Sequence, residues 1–141
     1  MKKIDLPISL KSVTSSDFEF LFDLLEQREP RANISHKKMP TYKQHKKFVT
    51  SKPYSKWYVI ILEKQKIGSI YLSKQNEIGI FLQKTWNNDD IRLKSVKILM
   101  KKNPRKRYLA NVSPNNKKLI SFWLKNNFSL VSYSYELENN T

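Results

Sequence analysis

The 141 residues predict a single α/β domain of the α+β kind, a mixed, mostly antiparallel central sheet with helices on both faces. Two observations lead there. Apolar residues alternate at period two over several short stretches and recur at period 3.6 over others. The stretches also follow one another as strand, helix, helix, three strands, helix, strand, helix, strand, with no repeat or linker, so one domain spans 1–141.

Residues 4–13 alternate loosely (Ile8, Leu10, Val13) and read as a first strand. The run from Ser16 to Glu19 has the form of a capping box, opening a helix with Phe18, Leu21, Phe22 and Leu25 on its buried face. Residues 28–40 hold two prolines and no periodicity, which makes them a loop. Thr41 and Gln44 form a second box, starting a short helix through Thr50 with Tyr42, His45 and Phe48 or Val49 on one side.

Strands follow at 57–62, 67–73 and 77–83, joined closely enough for an antiparallel meander. A polar loop at 84–90 leads into a helix at 91–100, closed by Pro104. Residues 107–112 read as a strand with Tyr108, Ala110 and Val112 on one side. Asn116 then caps a helix carrying Leu119, Ile120, Trp123 and Leu124, with Asn127 as its left-handed C′ residue. Residues 129–138 alternate clearly and form the closing strand.

Composition excludes several classes of function. With no Cys there is no disulfide framework, thiolate metal site or thiol nucleophile. Two histidines, His36 and His45, without a carboxylate cluster give no metal signal. No apolar run matches a membrane span and the N-terminus lacks a signal-peptide core, so a cytoplasmic protein is expected, as monomer or homodimer. The net charge of +15 invites a nucleic-acid reading, but 22 of the 27 basic residues are Lys scattered along the chain, so that partner is not expected. Gly occurs only at 68 and 79, which excludes a glycine-rich phosphate cradle.

The stretch 77–100 organises the rest. Its period switches from two to 3.6 across the loop, and a strand feeding a helix this way aims the helix's first free N–H groups at whatever occupies the loop, a setting suited to phosphate. With the element order and the spacing Asn116…Trp123…Asn127-Phe128, this block resembles the GNAT family of acetyl-CoA-dependent N-acetyltransferases over nearly the whole chain. In that family the loop carries an R/Q-x-x-G-x-G/A pattern. Here an ungapped placement puts Asn87, Asn88, Asp90 and Arg92 at the basic and glycine positions. Asn tolerates left-handed geometry and can still make the turn, whereas Asp89 and Asp90 bring negative charge to the phosphate position. Asn88 or Asp89 is also a good N-cap for the helix, and acids in its first turn suit the dipole.

The resemblance implies an acetyl group carried from acetyl-CoA, as cosubstrate, to a primary amine on a small molecule such as an amino sugar or on a protein. It implies Glu77 as general base. The pantetheine arm would lie along the main chain of Ile80, Phe81, Leu82 and Gln83, with polar contacts from Asn111 and Asn116. Asn88, Arg92 and Lys94 would meet the phosphates. Trp123 occupies the position of the family's frequent Tyr acid; its indole N–H has no proton to give, so it reads as packing for the pantetheine arm. The loop bearing Asn33, Ser35 and His36 would face the acceptor. Two alternatives stand beside this reading. One is a GNAT-fold binding or regulatory protein that has lost catalysis; the other is a basic nucleic-acid-associated protein.

Overall fold

The computed structural model describes residues 7–27 and 39–139. Strand β1 (Ile8–Ser12) leads through a 3-10 turn into helix α1 (Phe18–Glu26), and helix α2 (Tyr42–Thr50) follows. Strands β2 (Lys56–Leu62), β3 (Gln65–Leu72) and β4 (Ile78–Leu82) come next, then helices α3 (Asp89–Lys102) and α4 (Lys117–Lys125). The four strands form one antiparallel sheet in the order β1-β2-β3-β4.

Alternation divides the sheet into two faces. Tyr58, Ile60, Ile70, Leu72, Ile78 and Ile80 are buried in one cluster with Ile91, Val96 and Leu99 of α3 and with Phe122 and Trp123 of α4. The opposite face, toward α1 and α2, carries the cross-strand row Trp57, Tyr71, Gly79 and the row Val59, Ser69, Phe81. A register shift between Ile60 and Ile61 puts a bulge in the β2–β3 hairpin, whose tight turn holds Glu63 at φ 58°.

Local chemistry explains most of the boundaries. Thr41 Oγ1 accepts from the Gln44 N–H at 3.1 Å and the Thr41 N–H donates to Gln44 Oε1 at 2.9 Å, the reciprocal box expected there. The first box is displaced. Thr14, not Ser16, is the cap, its N–H donating to Asp17 Oδ2 at 2.8 Å. Asp17 is fully buried and bound by Lys11 at 2.9 Å and Lys66 at 2.7 Å. Burial alone would raise its carboxyl. Hydrogen bonds from Lys66, the Thr14 N–H and Lys11 overcome that and hold it at about 2.

Helix α3 starts two residues earlier than the sequence suggests, because Asn88 Oδ1 caps it by accepting from the Ile91 N–H at 3.0 Å. Helix α4 ends as expected at a left-handed Asn127 (φ 70°). The Phe128 N–H bonds to the Trp123 carbonyl and the Asn127 N–H to that of Leu124, while the Phe128 and Trp123 rings pack 4.6 Å apart, a complete Schellman cap.

Two expected strands differ. Residues 107–112 make a single bridge, Leu109 parallel to Glu77, and residues 129–138 join no ladder among the described residues. Alternation states which side of a strand is apolar; it does not supply a neighbour.

Candidate active site

The bridge at Leu109 creates the site. The Leu109 N–H donates to the Asn76 carbonyl at 2.9 Å and its carbonyl accepts from the Ile78 N–H at 2.7 Å. Beyond that point the two segments part. Residues two apart on a strand direct their N–H groups the same way. The Ile78 N–H faces Leu109, so those of Ile80 and Leu82 face the opening, where the described residues offer them no backbone acceptor. The Gln83 N–H bonds to Ile67 in β3 at 2.9 Å, so Gln83 and Phe81 direct their amides away from the opening.

A groove of ≈ 830 Å³ passes through this gap. That is ample for a nucleotide-sized ligand, pockets for such molecules spanning roughly 300–1,000 Å³. One end lies against α1 and α2 and is walled by Phe48, Tyr54, Trp57 and Tyr71; the other is walled by Asn111, Ser113, Asn116 and Trp123.

Glu77 sits at the apex, half-buried. Ser73 Oγ donates to its Oε1 at 3.0 Å, and Asn111 Nδ2 donates to its Oε2. A carboxylate offers about four lone-pair sites, so two stay open to the groove after this clamp. Asn111 is thus engaged with Glu77 from 34 positions away, a role the sequence did not suggest. Ser73 reaches Glu77 around a tight turn that holds Asn76 at φ 64°.

At the mouth of the groove the α3 N-terminus meets Lys84, Arg92 and Lys118. Arg92 bonds to Asp89 Oδ1 at 2.6 Å and to Asn87, with its guanidinium 5.2 Å from the centre of the Phe122 ring. Burial pulls the Arg92 pKa below its ordinary value, and Asp89 counteracts the pull. Asp89 is thereby paired, and its negative charge does not stand alone at the helix start. Asp90 is exposed in the first turn, where the helix dipole favours it.

Of the residues expected to matter, Glu77, Ile80, Phe81, Leu82, Arg92, Asn111, Asn116 and Trp123 line this one groove. Phe81 reaches it from the α1–α2 face. Asn116 also caps α4 through the Leu119 N–H at 3.3 Å, and Trp123 is buried between Phe122 and Phe128. Asn88 acts as the α3 cap, and neither Gln83, Asn88 nor Lys94 lines the groove. Asn33, Ser35 and His36 lie outside the described residues. The aromatic wall went unread in the sequence. Its signal was the odd-numbered face of the central strands, where Trp57, Tyr71 and Phe81 share alternation with Val59, Ser69, Ser73 and Gly79.

The fold recurs in solved structures. A domain from Methanocaldococcus jannaschii DSM 2661 superposes with a TM-score of 0.77 over 94% of each chain at 22% identity. RimL, the ribosomal L7/L12 alpha-N-protein acetyltransferase, in complex with coenzyme A, gives 0.73 over 92% of this chain and 84% of that one at 16% identity. The chain has the GNAT fold. A further GNAT-fold neighbour is the spermidine/spermine N-acetyltransferase SpeG from Vibrio cholerae, with a TM-score of 0.66 and 14% identity over 86% of this chain and 79% of that one. No protein-family model and no curated protein matches the sequence. Among the described residues no helix is long and apolar enough to cross a membrane, and no group of three or more His, Cys, Asp or Glu could hold a metal ion.

Proposed function

We propose that this chain is an N-acetyltransferase that moves an acetyl group from acetyl-CoA to a primary amine. The reading rests on the opened sheet: the Ile80 and Leu82 N–H groups, without a backbone acceptor among the described residues, face a groove that has Glu77 at its apex and Lys84, Arg92 and Lys118 at its mouth. The N–H groups match an extended amide-bearing arm lying as an extra strand, and the cations match phosphates at a helix N-terminus. RimL, with the same fold, is known with coenzyme A bound.

The thioester supplies an activated acyl carbon. The chain supplies placement and a base. Glu77 takes a proton from the acceptor ammonium, directly or through one water, so that the nitrogen lone pair can attack the acyl carbon. The Ile80 or Leu82 N–H receives the charge that builds on the acyl oxygen. The departing sulfur needs one proton in return, which Trp123 cannot provide. The protonated Glu77 or solvent returns it, while the second proton that the nitrogen sheds as the amide forms passes to solvent, so one proton is released overall. The acceptor enters from the end walled by Phe48, Tyr54, Trp57 and Tyr71. A small amine such as an amino sugar, or a protein amine, fits the chemistry.

A second reading has one feature in its favour: the loop before α3 has no glycine, and its helix starts with two acids. A GNAT fold so built could hold a ligand or partner without turnover. Calorimetric titration with acetyl-CoA, against adenosine phosphates lacking the pantetheine arm, decides between them. Micromolar binding that needs the arm, followed by thiol release with one of a panel of amines, is the expected result. Absence of binding at millimolar acetyl-CoA overturns the enzyme reading.

A further inference from the structure

Two amides and a carboxylate converge on the hydroxyl of Ser73, the residue that follows β3 and is 9% exposed. Its Oγ lies 3.2 Å from the Gln75 nitrogen, 3.0 Å from the Glu77 nitrogen and 3.0 Å from Glu77 Oε1. A serine hydroxyl has two lone pairs and one proton, and a backbone N–H can only donate. The two amides therefore occupy both lone pairs. The remaining proton has one destination, the carboxylate. Chemistry alone fixes the direction of this bond.

The other carboxylate oxygen is held in the same sense. Oε2 accepts from Asn111 Nδ2, a group with protons to give and no lone pair to offer. The two holders differ in firmness. Ser73 is tied to Glu77 a third time through the main chain, its N–H donating to the Glu77 carbonyl at 2.8 Å, and Asn76 closes the turn by donating to the Ser73 carbonyl at 3.0 Å. Asn111 stands two residues past the Leu109 bridge, exposed where the segments part.

We infer that Ser73 and Asn111 are positioning residues that make Glu77 a one-sided base, able to exchange its proton only with the groove. The inference rests on the acetyltransferase reading above. Both hydrogen-bond partners of the carboxylate among the described residues donate, and neither can accept. A proton that moves from the acceptor ammonium to Glu77 therefore has no exit behind the strand. It leaves by the side on which it arrived, to the departing sulfur or to solvent, and Glu77 returns to its carboxylate form. The same bonds hold a side chain of three rotatable bonds in place before any amine arrives. The ordering cost is thus met on folding, and the reaction does not carry it.

A kinetic cycle on the full chain tests this, with thiol release as the readout. Ser73→Ala should lower kcat by roughly 10²-fold while the calorimetric affinity for acetyl-CoA stays unchanged. Ser73→Thr keeps the hydroxyl and should stay near wild type. In a Glu77→Gln background Ser73→Ala should cost nothing further, because the serine acts only through the carboxylate. Asn111→Ala leaves the amides of the turn paired, so the same cycle is run with it if Ser73→Ala does not fold. Wild-type kcat in the alanine variant overturns the inference, and so does a loss of equal size in both backgrounds. A fall in acetyl-CoA affinity that parallels the fall in kcat also overturns it, since the residue would then be shaping the groove. Full turnover in Glu77→Gln alone, or none in wild type with any amine, removes the base reading and this inference with it. Those two results involve no change at Ser73 or Asn111, which separates them from a failure of the positioning role.

Discussion

Gly79 and Tyr71 face each other across β3 and β4, and the tyrosine ring lies over the glycine. A Cβ built at Gly79 comes well under 3.0 Å from Cζ, Cε2 and Oη of that ring. Gly79 has no positive φ, so Gly79→Ala meets the ring and no backbone strain. To admit the methyl, Tyr71 must leave its stack on Tyr54, in which the rings are 3.8 Å apart and 3° from parallel. Losing the stack costs about 1 kcal/mol. Holding the ring off its rotamer costs about 1 more. Replacing a strand glycine by alanine returns ~0.5 kcal/mol. Gly79→Ala should therefore destabilise by ~1.5 kcal/mol. In a Tyr71→Ala background only the favourable part remains and the same change should stabilise slightly, a coupling of ~2 kcal/mol. Urea denaturation of the four chains of this cycle, with m-values unchanged, measures it. An equal cost of Gly79→Ala in both backgrounds would refute the argument.

Further outcomes follow from the same geometry. Glu77→Gln should leave acetyl-CoA affinity intact and lower kcat by ~10²–10⁴-fold in thiol-release assays, as expected when a positioned base is removed. Asp17 has a folded pKa of about 2 against an ordinary 3.8, so its contribution is complete above 3.8 and is lost as pH falls through about 2. That contribution is on the order of 2 kcal/mol. Acid titrations of wild type and Asp17→Asn should therefore converge in that window. Asn88→Ala removes the α3 cap and should cost ~1 kcal/mol in chemical denaturation. Gly68→Ala should cost more than Gly79→Ala, since its Cβ meets the main-chain carbonyl of Phe81, which cannot swing aside.

Local signals were legible in the sequence where the partner was local. The Thr41–Gln44 box, the Asn116 cap and the left-handed Asn127 each depend on neighbours within a turn or two, and each stands where the residues put it. The first cap moved from Ser16 to Thr14 because Asp17 is held by Lys66, on a strand 49 positions away that no local pattern reveals. Period two located 107–112 and 129–138 as strand-like, yet one keeps a single bridge and the other joins no ladder among the described residues. The groove was legible as a block, since Glu77, Ile80, Leu82 and Arg92 share one strand–loop–helix unit. Its internal wiring was not: Asn111 on Glu77, and Arg92 over the Phe122 ring, are contacts of tertiary origin.

The single bridge between Glu77 and Leu109 also acts as a ruler. A strand advances ~3.3 Å per residue, so the distance from the carboxylate position at 77 to the amides at 80 and 82 is set at roughly 10 and 16 Å along the chain. No side chain has to hold that spacing. Sliding the bridge by two residues would carry the mouth of the opening ~7 Å along β4 and leave Glu77 inside a closed ladder. Two backbone hydrogen bonds thus determine where along β4 the groove opens.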